Sequence, residues 1–296
     1  MKKRPFLMAL LTLGAIFLFF LFLIVAVSGL RGPASGLALG DKVGVIEVLG
    51  VIADSRELTR QIVDFRNNES VKAVVLRVDS PGGGVGPSQE ICEEVGKLAA
   101  VKPVVVSMGS VAASGGYYIA APATRILANP GTITGSIGVI MEFANIEELL
   151  GKVGLRSEVV KSGAHKDIGS PTRTMTPADR AILQGMIDDV YDQFVNQIAH
   201  SRKLPLDQVK ALADGRIFSG RQALAQGLVD ELGNFQDAVA VAGQLAGLEG
   251  EPRLLYPPQK KPAFLDYLVE ETTTRFAKGL TGAMSPGLQY LWTHSN

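Results

Sequence analysis

Past residue 41 the chain alternates short apolar runs with stretches in which apolar residues return every three or four positions. The runs are KVGVIEVLG from Lys42, KAVVLRVDS from Lys72, KPVVVSMGS from Lys102 and TRILANPG from Thr124. Each is rich in β-branched residues and bounded by turn formers, which predicts buried strands. Between them, Leu58, Ile62, Val63 and Phe65, and then Ile91, Val95 and Leu98, fall on helical spacing. Strand, helix and strand at intervals of about 30 residues predict right-handed crossovers and a largely parallel sheet of the α/β class. Further on comes NIEELLGKVG, and then a strand expected over RSEVVKSG. A long helix follows over TPADRAILQGMIDDVYDQFVNQIAHSRKL, opened by a Thr176 cap with Asp179 three residues on. The pattern closes with FSGRQALAQGLVDELGNFQDAVAVAGQLAGL. After Pro257 the tail keeps apolar residues without a period. It is expected to be a partly ordered extension, or alternatively a helix lying on a membrane or a neighbouring subunit.

The N-terminus changes the picture. Lys2, Lys3 and Arg4 precede an uncharged run from Pro5 to Leu30, long enough to span a bilayer. An uncleaved anchor is favoured over a signal peptide cut after Ala26-Val27-Ser28. The basic residues place the N-terminus in the cytoplasm and everything after about Arg31 on the far side. The expected organisation is therefore an anchor over 1–30, a linker over 31–41, a catalytic domain over 42–250 and an extension over 251–296. Lys plus Arg and Asp plus Glu both number 29, so nothing in the charge balance calls for nucleic acid. One cysteine, Cys92, excludes an intramolecular disulfide and offers no zinc or redox pair. No metal or cofactor is called for, and Cys92 is expected to be a small buried side chain.

Two glycine-rich stretches carry candidate chemistry. In SVAASGGYYIA, residues 110–120, Gly115 and Gly116 stand at the start of a helix, where each costs about 1 kcal/mol relative to alanine. Ser114 directly before them is placed as a nucleophile at a strand-to-helix turn. In DSPGGGV, residues 79–85, the glycines allow backbone N–H groups to face a bound oxygen. No nucleotide-loop pattern is present, and an oxyanion hole made by the N–H groups of Gly83 and Gly115 fits better. The proton of Ser114 needs a base. His200 belongs to the long helix and His294 to the terminus, which leaves His165, with Lys161 and Lys166 in the same VVKSGAHKDIGSP segment. A lysine base requires its pKa to fall from about 10.4 to roughly 7–8, a shift that burial in an apolar cleft can impose.

The stretches DSPGGG, GSVAASGGYYIA, GTITGSIGV and KSGAHKDIGSP, in this order, resemble the signal peptide peptidase A family in its short bacterial form, from about Val43 to Leu248. The resemblance implies a Clp protease/crotonase-like fold of repeated β-β-α and βαβ units, preceded by one N-terminal transmembrane helix. It implies Ser114 as nucleophile, Lys166 in place of Lys161 as general base, Ser136 as the serine that orients the lysine, and Gly83 and Gly115 as oxyanion donors. It also implies homo-oligomeric rings in which neighbouring subunits contribute the serine and the lysine of each site. The expected function is a serine endopeptidase of the bacterial inner membrane that cuts apolar peptides, above all leftover signal peptides. The alternatives are a peptidase that processes another membrane protein, a crotonase-like acyl-CoA binder and a non-catalytic membrane scaffold. Coenzyme A is cytosolic, so the expected far-side location argues against the second.

Overall fold

A computed structural model of the chain describes residues 13–20, 22–23, 40–258 and 289–292. Two units separate, Met1–Gly40 and Asp41–Asn296. In the first, residues 13–20 and 22–23 are helical with exposed apolar side chains. No helix among the described residues is long and apolar enough to cross a membrane. The anchor expected over 5–30 falls largely outside the described residues.

The second unit is built on an eight-stranded, mostly parallel sheet. Its first three long strands are β1 (Lys42–Leu49), β2 (Val71–Ser80) and β4 (Val104–Ala113), with β3 (Gly82–Gly84) directly after β2. β1 pairs parallel to β2, and β2 parallel to β4. The helices that connect them are α1 (Arg56–Asn67) and α2 (Val85–Ala99). Their buried residues include Ile62 and Phe65, and Ile91, Val95 and Leu98, which are members of the predicted apolar stripes. Gly44 in β1 is needed because Phe65 lies over it: a Cβ there would meet the ring at 2.5 Å. Cys92 is buried on α2, and burial pushes its thiol up to about 12. That makes it an inert core residue.

β4 decides where the chemistry sits, because its free edge takes two successive partners. Val105 to Met108 pair with β5 (Arg125–Ala128), and Val111 to Ala113 pair with β6 (Ile133–Gly135). At the fork the β2–β4 register slips, with Val78 opposite Met108 but Ser80 opposite Ala112. The Asp79 carboxylate patches the slip by accepting the Val111 N–H at 3.1 Å, and Thr132 donates to the Gly109 carbonyl at 2.7 Å. Beyond the fork β4 stays paired with β2 and β6 up to Ala113 and leads directly into the helix α3 (Gly115–Ala120).

The remaining elements cover this core. They are α4 (Glu147–Lys152), the long α5 (Pro177–Arg202), α6 (Leu206–Leu212), β7 (Ile217–Ser219), α7 (Gly220–Ala225), β8 (Glu231–Leu232), α8 (Phe235–Leu245) and β9 (Arg253–Leu255). β9 pairs parallel to β1, and β7 antiparallel to β6. α5 begins as predicted, with the Thr176 side chain and Asp179 in a reciprocal capping box. It is fastened at its other end by Arg202, which donates to Asp230 at 2.6 Å. The strand expected over RSEVVKSG does not form. Val159 and Val160 are 51% and 103% exposed, and no strand among the described residues pairs with them. In the tail, β10 (Gln289–Leu291) pairs antiparallel to β3. The rest of the tail beyond Pro258, apart from Trp292, lies outside the described residues.

Candidate active site

Ser114 ends β4 and caps α3 with φ 54° and ψ −116°. A non-glycine residue at that point costs about 1–3 kcal/mol and persists only where its neighbours force it. Here they do: the Ser114 N–H donates to Gly135 O at 2.8 Å and its carbonyl accepts from Tyr118 at 2.8 Å to start the helix. The strand-to-helix turn expected around a nucleophile is present. Its hydroxyl is buried and has no hydrogen-bond partner among the described residues.

The two glycines after it answer to close backbone approach. A Cβ on Gly116 would stand 2.7 Å from the Ser80 carbonyl. On Gly115 it would stand 2.7 Å from Ser88 Oγ and 3.1 Å from the Gly83 nitrogen. Gly83 and Gly115 are thus brought together, although they lie in separate glycine-rich stretches of the chain. Gly83 is held from behind by Ile52, whose N–H donates to Gly82 O at 2.8 Å and whose carbonyl accepts from Gly84 at 2.9 Å. DSPGGGV is therefore a short strand with one edge used by Ile52 and not a bare turn. Its other edge carries β10, in register Gly83 with Tyr290. Gln289 also exchanges both backbone hydrogen bonds with Ile140 at 3.2 Å, so the tail strand lies between two extended segments. The Tyr290 ring is fully buried against Tyr118 and Phe194, with centroids 5.0 and 4.4 Å away.

Ser136 shares the unusual backbone of Ser114, with φ 50°, and its N–H donates to Arg216 O at 2.8 Å. It borders a cleft of about 400 Å³ walled by Val139, Tyr191, Leu291 and Trp292. Lys166 is exposed on the loop between α4 and α5, and its amine makes no hydrogen bond among the described residues. The apolar burial expected of it is not supplied by the described residues. His165 lies beside it and is engaged elsewhere, with Nδ1 at 2.8 Å from Asp179 Oδ1. Lys161 is taken up by Asp167 at 2.6 Å. The structure therefore brings Ser114, Gly83 and Gly115 together and leaves the Lys166 amine in solvent.

Two groups near these residues were not singled out from the sequence. Ser88 is fully buried beside Gly115, with a hydroxyl that has no partner among the described residues; its position on a helix stripe made it indistinguishable from a small core residue. Arg173 binds both Asp167 and Asp179, and a single arginine in a loop gives no sequence signal of its partners.

Comparison with known proteins then identifies the family. The model of peptidase family S49 matches residues 96–249. The chain belongs to peptidase family S49, a serine-protease family. It is similar to a putative protease of Synechocystis, 48% identical over 209 residues that cover 70% of this chain and 76% of the relative. It is likewise similar to protease 4 of Salmonella typhi, 40% identical over 82% of this chain and 40% of that longer protein. A putative signal peptide peptidase SppA of Enterococcus faecium is 39% identical over 68% of this chain and 63% of the relative. The resemblance to the signal peptide peptidase A family is thereby shown.

Proposed function

We propose that this S49 chain is a membrane-anchored serine endopeptidase that hydrolyses apolar peptides, leftover signal peptides among them, with a Ser114–Lys166 dyad. The carrying observation is Ser114 itself, a buried hydroxyl without a partner, held in a strained turn beside the Gly83 and Gly115 amides. In this reading Ser114 Oγ attacks the scissile carbonyl while its proton passes to the neutral Lys166 amine. The developing oxyanion accepts from Gly83 and Gly115 N–H groups. The protonated lysine then gives its proton to the leaving amine, and water completes the cycle through the same base.

The base comes from a neighbouring subunit. Supporting this are the exposed Lys166, the lack of any partner for Ser114 among the described residues, and the open cleft at Ser136, which admits a lysine side chain from outside. Ser136 then orients the incoming amine. The bilayer segment over 5–30 holds the site close to membrane-borne peptides. The test uses two inactive variants of the full chain. Ser114→Ala and Lys166→Ala each remove hydrolysis of an apolar fluorogenic peptide, and coexpression of the two restores part of it, because mixed rings contain sites with both groups. Wild-type activity in Lys166→Ala would hand the base role elsewhere. Inactive variants whose coexpression restores nothing would confine each site to one subunit.

A further inference from the structure

The two neighbours of Lys166 in the chain are both tied down. On one side His165 meets Asp179 at 2.8 Å. On the other, Asp167 accepts from Arg173 Nε at 2.9 Å and Nη2 at 2.8 Å, and from Lys161 Nζ at 2.6 Å. Arg173 closes the circuit, because its Nη1 donates to the second oxygen of Asp179 at 2.7 Å. Asp179 is 1% exposed and also completes the capping box of α5, accepting the Thr176 N–H at 3.2 Å. Lys161, His165, Asp167, Arg173 and Asp179 thus hold one another, while the Lys166 amine makes no hydrogen bond among the described residues.

We infer that this bracket positions Lys166, with Arg173 as the residue that joins its two halves. The inference rests on Lys166 being the base. The segment between α4 and α5 forms no helix or strand; around Lys166 it is a run of turns, closed by Lys166 N–H to Gly163 O at 3.2 Å, Ile168 N–H to His165 O at 3.1 Å and Ser170 N–H to Asp167 O at 3.0 Å, while Thr174 to Glu147 at 2.9 Å and Ile146 N–H to Pro171 O at 2.7 Å tie it to α4. A lysine carries its amine on a flexible stem, so its aim depends on how firmly the backbone at its root is held. One planar guanidinium reaches both carboxylates at once, with a two-pronged contact to Asp167 and a third N–H to Asp179, a geometry an ammonium does not reproduce. The bracket fixes the backbone on both sides of Lys166 to the first turn of the longest helix. It does so whichever subunit's Ser114 the amine serves. Arg173 touches neither substrate nor nucleophile in this account and acts through the base.

The experiment is steady-state hydrolysis of an apolar fluorogenic peptide by the full chain in detergent micelles. Arg173→Ala is expected to lower kcat about 10- to 100-fold with KM unchanged, the loss that goes with a misplaced catalytic group. Arg173→Lys should fall between it and wild type, and added guanidinium ion should restore part of the Arg173→Ala rate. A purely structural arginine would instead give a loss that tracks the unfolded fraction and is not rescued. If Arg173→Ala does not fold, Asp167→Asn carries the test, since it leaves the Asp179 cap in place and should show the same kcat-only loss. Wild-type kcat in both variants, or a loss confined to KM, overturns the inference. Lys166→Ala measured alongside separates the two claims: if it is inactive while Arg173→Ala and Asp167→Asn run at wild-type rates, the bracket fails and the dyad stands. If Lys166→Ala is itself fully active, both fall.

Discussion

Tyr290 is paired with Gly83 across β10 and β3, and a Cβ placed on Gly115 would lie 3.1 Å from both the Tyr290 carbonyl oxygen and the Gly83 nitrogen. The tail strand therefore runs along the edge, and past the amides, that an extended substrate would use. A chain ending at Pro258 should bind a short apolar peptide more tightly, seen as a lower KM with kcat little changed. An unchanged or raised KM would show that β10 completes the groove and does not compete for it. Loss of the buried Tyr290 ring should lower thermal stability in the same variant.

The strain at Ser114 has a stability signature opposite to the usual one. Glycine normally costs about 0.5–1 kcal/mol relative to alanine. At φ 54° and ψ −116° that order should reverse, because relief of about 1–3 kcal/mol of backbone strain exceeds the entropic loss. Ser114→Gly should be inactive yet unfold at a higher denaturant concentration than Ser114→Ala. If alanine is the more stable of the two, the turn carries no strain.

Glycines of similar appearance in the sequence should respond in opposite directions. Gly116→Ala would force a Cβ to 2.7 Å from the Ser80 carbonyl, backbone against backbone, and should abolish activity and lower stability. Gly96, inside α2, has only Pro122 Cβ at 3.7 Å from the same probe position. Gly96→Ala should stabilise by roughly 0.5–1 kcal/mol without touching activity. Chemical denaturation of the two variants measures both effects.

Acid should loosen the loop that bears Lys166. The Asp167 carboxyl is held well below the usual carboxylate range by Arg173 and then by Lys161, and that of Asp179 by His165 and then by Arg173. A carboxylate whose pKa is depressed on folding adds stability that is complete above its unfolded value of about 4 and is lost as pH falls through the folded value. The thermal midpoint should accordingly decline from about pH 4 downward. Asp167→Asn removes one of the two titrations, so its midpoint should be lower at neutral pH and its acid slope shallower. An acid slope identical to wild type would mean that Asp167 contributes nothing to this dependence.

The alternation of apolar runs and helical stripes was sufficient to place β1, β2, β4 and β5, helices α1 and α2, and the Thr176–Asp179 start of α5. Each depends on local periodicity and capping, which neighbours in the chain dictate. The conspicuous glycines were legible for the same reason: bare backbone inside regular elements has a local cost that something must justify. What that something is came only from tertiary structure. The Ser80 carbonyl against Gly116, the approach of Gly83 to Gly115 and the fork of β4 between β5 and β6 all join segments distant in sequence. RSEVVKSG shows the converse, since β-branched residues without a strand edge beside them remain irregular and exposed. Nor could spacing reveal that His165 and Lys161 are each held by a carboxylate while Lys166 has no hydrogen-bond partner among the described residues. Ion pairing across a folded loop is a property of three-dimensional proximity, and the pattern of apolar and polar positions along a chain does not encode it.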